Sequence, residues 1–368
     1  MIGPIKRAEP WYWIIACLPC EHVGLIRSLA PTNLVLTFAP LRLCVRIFRL
    51  FVLAALFCLA GHRSMAAADD SSGNRSPAAS KNCYRESDQR DIKLWEGDAP
   101  SASGQNPCRD IPFLRFYPGV KPNRQIGPAI LIIPGGGYDR LSDAKEQAPV
   151  AEYFSHDLGV GTFILYYRLV QPDGTYRYPV PMWDGQRAVK LIRYRAHAYG
   201  IDPNCVGVFG FSAGGHLAAM LALHSASDFD LPQHDGVDAT NGRPDFLGLG
   251  YPVISMDPAQ FAAASSRSHL LYGYHGQELD RLQTYLSGQK SIPQDMPPVF
   301  LFESLDDHRI SPQNSVLFVR SLQTANSPVE GHVFTHGIHG AGLATGIPEE
   351  QTWPDLFHQW LRRQGILK

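Results

Sequence analysis

Charge is sparse in this sequence. Asp, Glu, Lys and Arg together make up 18% of it, and 33 basic residues stand against 34 acidic ones. That balance does not point to a nucleic-acid partner, and no basic stripe or patch interleaved with aromatics is present. Long apolar runs are also missing. The run at 50–60 falls short of the ~20 residues a membrane-spanning helix needs. Cysteine is scarce: there are seven, and Cys17, Cys20, Cys44 and Cys58 all precede residue 69. Cys17-x-x-Cys20 has no second pair, so a zinc site is not indicated. No internal repeat is visible. What is abundant is apolar character, 45% of the residues, enough for a large buried core.

The N-terminal 68 residues suggest no fold, and from about residue 41 they carry a targeting pattern. Arg42, Arg46 and Arg49 precede the apolar run 50–60, and small residues follow at 64–68. Basic flank, short apolar core and small-residue end predict a secretory signal over 41–68, with an uncleaved anchor as the alternative. Residues 1–40 are an unassigned extension, and a signal placed this late suggests a true start near Leu34 to Val45. Residues 69–90 read as linker, and 91–368 as the catalytic domain. The expected location is secreted or periplasmic, without stable membrane association once the signal is removed. Export would permit Cys83 and Cys108 to pair across a segment of low apolar content. Cys205 reads as a buried thiol.

From Asp91 onward strand and helix patterns alternate. Strand runs are expected at 113–117, 128–133, 160–167, 206–211, 246–254, 298–303 and 329–335. Helices are expected from an Asp143 cap to His156, from an Asp184 cap to Tyr199, and over 217–223, 278–286, 312–324 and 353–363. This alternation predicts an α/β fold: a doubly wound, mostly parallel sheet with helices on both faces.

One stretch organises the rest. Residues 206–216 read VGVFGFSAGGH. A β-branched and aromatic run enters Gly-x-Ser-x-Gly, and a helical pattern follows at once. A serine at a strand–turn–helix apex is the context of a nucleophile elbow. Ser212 is the candidate nucleophile, and the helix start offers N–H groups where an oxyanion would form. Pro134-Gly135-Gly136-Gly137 follows an earlier strand and supplies further backbone amides. It lacks the Lys-Ser/Thr of a phosphate loop and the spacing of a dinucleotide fingerprint. Asp306 and Asp307 follow one later strand, and His336 and His339 the next. Nucleophile, acid, histidine is the chain order of α/β-hydrolases. Serine needs a histidine to take its proton, and the histidine needs an acid to orient it. His332, His336 and His339 have no matching carboxylate or cysteine set, so no metal is predicted, and no cofactor.

These motifs resemble the secreted bacterial α/β-hydrolases grouped with BD-FAE-like esterases and acetyl-xylan esterases. The resemblance runs from about Cys83 to the C-terminus. It rests on PGGGY (134–138), YRL (167–169), GFSAGGHLA (210–218), RPDFLGLGYPVISM (243–256), DDHRISPQNS (306–315) and GIHGAGL (337–343). It implies Ser212 as nucleophile, His339 as base and Asp307 as acid, because the family pattern sets an apolar residue, here Ile310, three positions after the acid. Ala213 and Gly136 or Gly137 would be the oxyanion donors. Pro134 and Ser311 depart from the family, where histidine and proline are usual. The implied function is hydrolysis of small acyl esters, with acetylated polysaccharide or oligosaccharide as partner. Peptidase, lipase and inactive carbohydrate-binding relatives on the same fold are the alternatives. Tyr138, Tyr178 and Trp183 are candidates to line a sugar-facing cleft, with core packing the competing role.

Overall fold

The apolar runs become the middle of one sheet. The computed structural model describes residues 82–120, 126–142 and 144–368. The N-terminal extension, the expected signal at 41–68, the expected linker as far as Lys81, and Asp143 lie outside the described residues. In chain order the elements are β1 (Asp91–Lys93), α1 (Pro107–Asp110), β2 (Phe113–Tyr117), β3 (Gly127–Ile133) and α2 (Ala148–Glu152), which continues as a π-helical turn, Tyr153–Asp157. Then come β4 (Gly161–Tyr166), α3 (Val180–Tyr194), β5 (Ile201–Phe211), α4 (Ser212–Leu223), β6 (Leu247–Gly250), α5 (Ala264–Leu270) and α6 (Gly276–Tyr285). The chain ends with β7 (Val299–Ser304), α7 (Gln313–Thr324), β8 (Val329–Phe334) and α8 (Trp353–Arg363).

The strand order is β1-β2-β4-β3-β5-β6-β7-β8. β2 pairs antiparallel with β1 and β4; every pair from β4 to β8 is parallel. β3, β4 and β7 are buried along their whole length, as parallel strands covered on both faces must be. Phe209 of β5 packs on Phe154 and on Trp353 of α8, at ring distances of 5.5 and 5.1 Å. The next residue, Gly210, faces the other way, and a Cβ there would sit 2.7 Å from the Ala218 methyl of α4. The expected doubly wound architecture is the one observed. From β3 the chain crosses to β4 on one side, and from β5 to β6 on the other, so a crevice opens between the C-terminal ends of β3 and β5.

Several boundaries differ from expectation. The helix expected from Asp143 begins at Ala148, with Pro149 in its first turn. A helix running through Pro149 would need an N–H that proline lacks. Asp184 does not cap a helix: α3 already starts at Val180, and Asp184 lies inside it, buried against the Arg168 guanidinium at 2.6 Å. The strand expected over 246–254 stops at Gly250 because Tyr251 turns to φ 37°. Cys205 is half-buried rather than buried.

The expected linker to residue 90 is in part domain. Cys83 is disulfide-bonded to Cys108, Tyr84 packs edge-on against Phe113, and the Arg90 carbonyl accepts the Phe116 N–H at 2.9 Å. The two cysteines are 25 residues apart, and cross-linking a loop of this size stabilises by about 3 kcal/mol in the chain-entropy account. We expect reduction to lower the melting temperature by several degrees without removing activity, since both cysteines lie outside the site described next. Calorimetry with and without reductant, and of Cys108→Ser, checks this; an unchanged melting temperature would refute it.

Candidate active site

Close packing dictates the Gly-x-Ser-x-Gly turn. Where β5 passes into α4, Ser212 takes φ 51°, in the left-handed region. A Cβ on Gly210 would lie 2.3 Å from the Gly214 carbonyl oxygen, and one on Gly214 2.2 Å from the Ile133 oxygen of β3. Only glycine permits both approaches, and together they hold the strained serine at the strand end.

His339 Nε2 lies 2.9 Å from Ser212 Oγ, and His339 Nδ1 lies 2.7 Å from Asp307 Oδ2. The other oxygen, Asp307 Oδ1, accepts the N–H groups of Arg309 and Ile310 at 2.7 and 3.0 Å. The carboxylate is thereby fixed from behind. Nδ1–H donates to Asp307, which leaves Nε2 to accept the serine hydroxyl. Asp306 faces elsewhere: it accepts the Gly337 N–H at 2.8 Å and stands 3.3 Å from His336. His332 pairs with Glu330 at 2.9 Å. The three histidines therefore face three different carboxylates rather than one centre.

The Pro134–Tyr138 turn abuts the serine, since a Cβ on Gly135 would lie 2.8 Å from Ser212 Cβ. Gly135 N–H donates to Glu146 at 2.7 Å, and the Gly135 and Gly136 carbonyls accept Ser142 N–H and Arg140 N–H. The Gly137 carbonyl accepts His269 Nδ1–H at 2.8 Å. The N–H groups of Gly136 and Gly137 have no acceptor among the described residues. Ala213 lies in the first turn of α4, where N–H groups precede the first intrahelical bond.

Gly136, Gly137, Ser212 and His339 line a cavity of about 630 Å³, closed by the start of α5 (Ala263–Ser266) and by Arg309 and Ile310. Sequence reasoning missed α5, because its serine-rich segment has no apolar stripe and buries only Ser266 and Leu270. The aromatics proposed for a sugar-facing cleft are not in it. Tyr138 is fully buried, and its hydroxyl donates to His216 Nδ1 at 2.7 Å. Trp183 is buried too and donates from Nε1 to the Phe229 carbonyl at 2.8 Å. Tyr178 does not line the cavity either. His216 donates from Nε2 to the Leu286 carbonyl at 2.7 Å. Burial holds its pKa down at about 4, so it is a neutral core group that anchors Tyr138.

Two buried glutamates stand behind Asp307. Glu303 accepts the Ser304 N–H and the Ser315 hydroxyl, and Glu350 accepts the Ile338 N–H. Burial first, then the neighbouring carboxylates, push Glu303 up to about 8 and Glu350 up to about 7. Unfolded, both would titrate near the ordinary glutamate value of ~4.3. Above that value the folded chain binds more protons than the unfolded one, so this contribution to stability fades as pH rises to about 8. His216 acts oppositely, but only below its unfolded value of ~6.5. Between about pH 6.5 and 8 the glutamates act without it. We expect Glu303→Gln to melt progressively higher than the parent as pH rises through that window. A constant offset in thermal melts at pH 6, 7 and 8 would refute this.

A serine at the turn after β5, an acid after β7 and a histidine after β8, on a sheet of this order, define the α/β-hydrolase fold. The sequence profile of the BD-FAE family matches residues 116–322, and the chain belongs to that family. It is 30% identical over 66% of its length to an acetylxylan esterase of Xylanibacter ruminicola. It is 32% identical over 58% of its length to an endo-1,4-beta-xylanase B of Butyrivibrio fibrisolvens. The matched regions span 46% and 32% of those relatives, less than half the length of either. An acetyl ester-xyloside bifunctional hydrolase from Caldicellulosiruptor lactoaceticus superposes with a TM-score of 0.68 at 35% identity, over 78% of this chain and 100% of that one. A carboxylesterase from Lactobacillus plantarum does so with 0.58 at 25% identity, over 70% and 94%.

Proposed function

We propose that this protein is a serine carboxylic-ester hydrolase acting on small acyl esters, and that its natural target is an acetyl group on a polysaccharide or oligosaccharide. The observation that carries the reading is the Ser212–His339–Asp307 chain of contacts, at 2.9 and 2.7 Å, opening into a cleft beside free amides. Ser212 Oγ attacks the ester carbonyl as His339 Nε2 takes its proton, and Asp307 stabilises the imidazolium. The N–H groups of Gly136, Gly137 and Ala213 hold the oxyanion. The intermediate collapses, His339 returns the proton to the leaving alcohol, and an acyl-enzyme remains. Water, activated by His339, then releases the acid and restores the serine.

Two observations favour a small acyl group on a sugar. The names of the relatives pair acetyl-ester with xylan chemistry. The cavity wall at Ala263, Ala264, Ser265 and Ser266 is built of small side chains, two of them hydroxyl-bearing, which suits a small acyl group beside a polar alcohol. The expected signal at 41–68 and the Cys83–Cys108 bond support export to a secreted or periplasmic location, where disulfides persist. The test is a screen of p-nitrophenyl acetate, butyrate and palmitate beside acetylated and feruloylated xylan. Acetate release dominates if the reading holds. Preference for palmitate would make the protein a lipase, and inactivity on every ester a binding relative.

A further inference from the structure

One buried carboxylate beside the cleft takes no part in those steps. Glu146 is 1% exposed and lies in the bend before α2. Its Oε2 accepts the Gly135 N–H at 2.7 Å, and its Oε1 accepts the Tyr251 hydroxyl at 3.1 Å. The Tyr251 oxygen itself accepts the Gly342 N–H at 3.1 Å, and its ring lies 4.9 Å from the His339 ring. Just beyond Tyr251, Val253 N–H donates to the Ser212 carbonyl at 3.0 Å. One carboxylate thus reaches the loop after β3 directly. Through one tyrosine it reaches the loops after β6 and β8.

These contacts bear on the three glycines of the β3 loop. Gly136 and Gly137 have φ of 121° and 66°, and consecutive glycines can adopt many other conformations. A bond to Gly135 N–H fixes the orientation of the peptide immediately before the two free amides. A buried carboxylate is an expensive way to fill this space, and burial does push the Glu146 pKa up, against the bonds from Gly135 and Tyr251. A neutral side chain would serve packing alone at lower cost. We propose that Glu146 is a positioning residue for the oxyanion loop: by gripping the Gly135 N–H and the Tyr251 hydroxyl together, it sets the Gly136 and Gly137 amides relative to Ser212 and His339.

The inference rests on the reading of Ser212 above, and the experiment separates the two. The full chain and its Glu146→Ala, Glu146→Gln and Tyr251→Phe variants are compared in p-nitrophenyl acetate hydrolysis. Their rates of Ser212 labelling by a fluorophosphonate, which also passes through an oxyanion, are measured in parallel. Misplacing the oxyanion donors lowers kcat by about 10²-fold in Glu146→Ala with KM little changed, because the loss falls on the transition state. Glu146→Gln keeps an oxygen for the Gly135 N–H and recovers most of that loss. Tyr251→Phe keeps the Gly135 bond and loses about tenfold. Labelling rates fall in the same order. Unchanged kcat and labelling in Glu146→Ala, or a Gln variant no better than Ala, overturns the proposal. If Glu146→Ala does not fold, parental kcat and labelling in both milder variants overturn it as well. A parent that labels but hydrolyses no ester counts against the function, and the labelling order alone then judges Glu146. A parent that does neither removes both.

Discussion

Ser212→Ala is expected to leave a folded protein whose ester hydrolysis has dropped by several orders of magnitude. The folding half of this expectation follows from what the hydroxyl touches. Its side-chain partner is His339 Nε2, which faces the cleft and can turn to water when the hydroxyl goes. Alanine meets the same cost at φ 51° that serine already bears, and the two glycines that allow the close approach are untouched. The activity half follows from the chemistry. Without Oγ no acyl-enzyme forms, and only the oxyanion donors and substrate binding remain. In a serine protease, losing the nucleophile costs about 10⁶ in kcat. The check is kcat/KM on p-nitrophenyl acetate beside a thermal melt. A well-folded variant keeping more than about a tenth of the activity would show that Ser212 is not the nucleophile.

Features enforced locally are legible in the sequence. Gly210 and Gly214 flank the serine because main-chain atoms stand where their Cβ atoms would be, and the motif records that constraint directly. The buried run of β3 and the amphipathic face of α8 are equally local. Features made by convergence leave little trace. Glu146 and Tyr251 meet across 105 residues, and neither has a neighbour pattern that announces the contact. Asp184 reads as a cap because aspartate often is one, yet its partner Arg168 sits on a different segment and draws it into the core. Tyr138 reads as a cleft aromatic because it follows the glycines. The turn at φ 70° sends it inward to a histidine 78 residues away. In each case the side chain's chemistry is visible in the sequence, but its direction is set by a partner the local sequence does not contain.

The adjacent aspartates give the sharpest test of direction. Asp307→Asn should lower kcat by about 10⁴, as loss of the orienting acid does in a serine protease. Asp307 Oδ1 is held by two backbone N–H groups, from Arg309 and Ile310. An asparagine there places its carbonyl oxygen on those donors and turns its amide N–H toward His339 Nδ1. That nitrogen must then be the acceptor, so the proton moves to Nε2, which faces Ser212 Oγ. The base is left in the tautomer that cannot take the serine proton. Asp306→Asn should keep most of its activity. The asparagine carbonyl still accepts the Gly337 N–H, and the only imidazole it disturbs is that of His336, whose side chain is 73% exposed. Steady-state kinetics on both variants, with melts to confirm folding, decide between them. The reverse outcome would move the acid to Asp306 and require the loop after β7 to rearrange when substrate binds. If both variants stayed active, His339 would have to be oriented by another group. Tyr251, packed against its ring, would be the first to test.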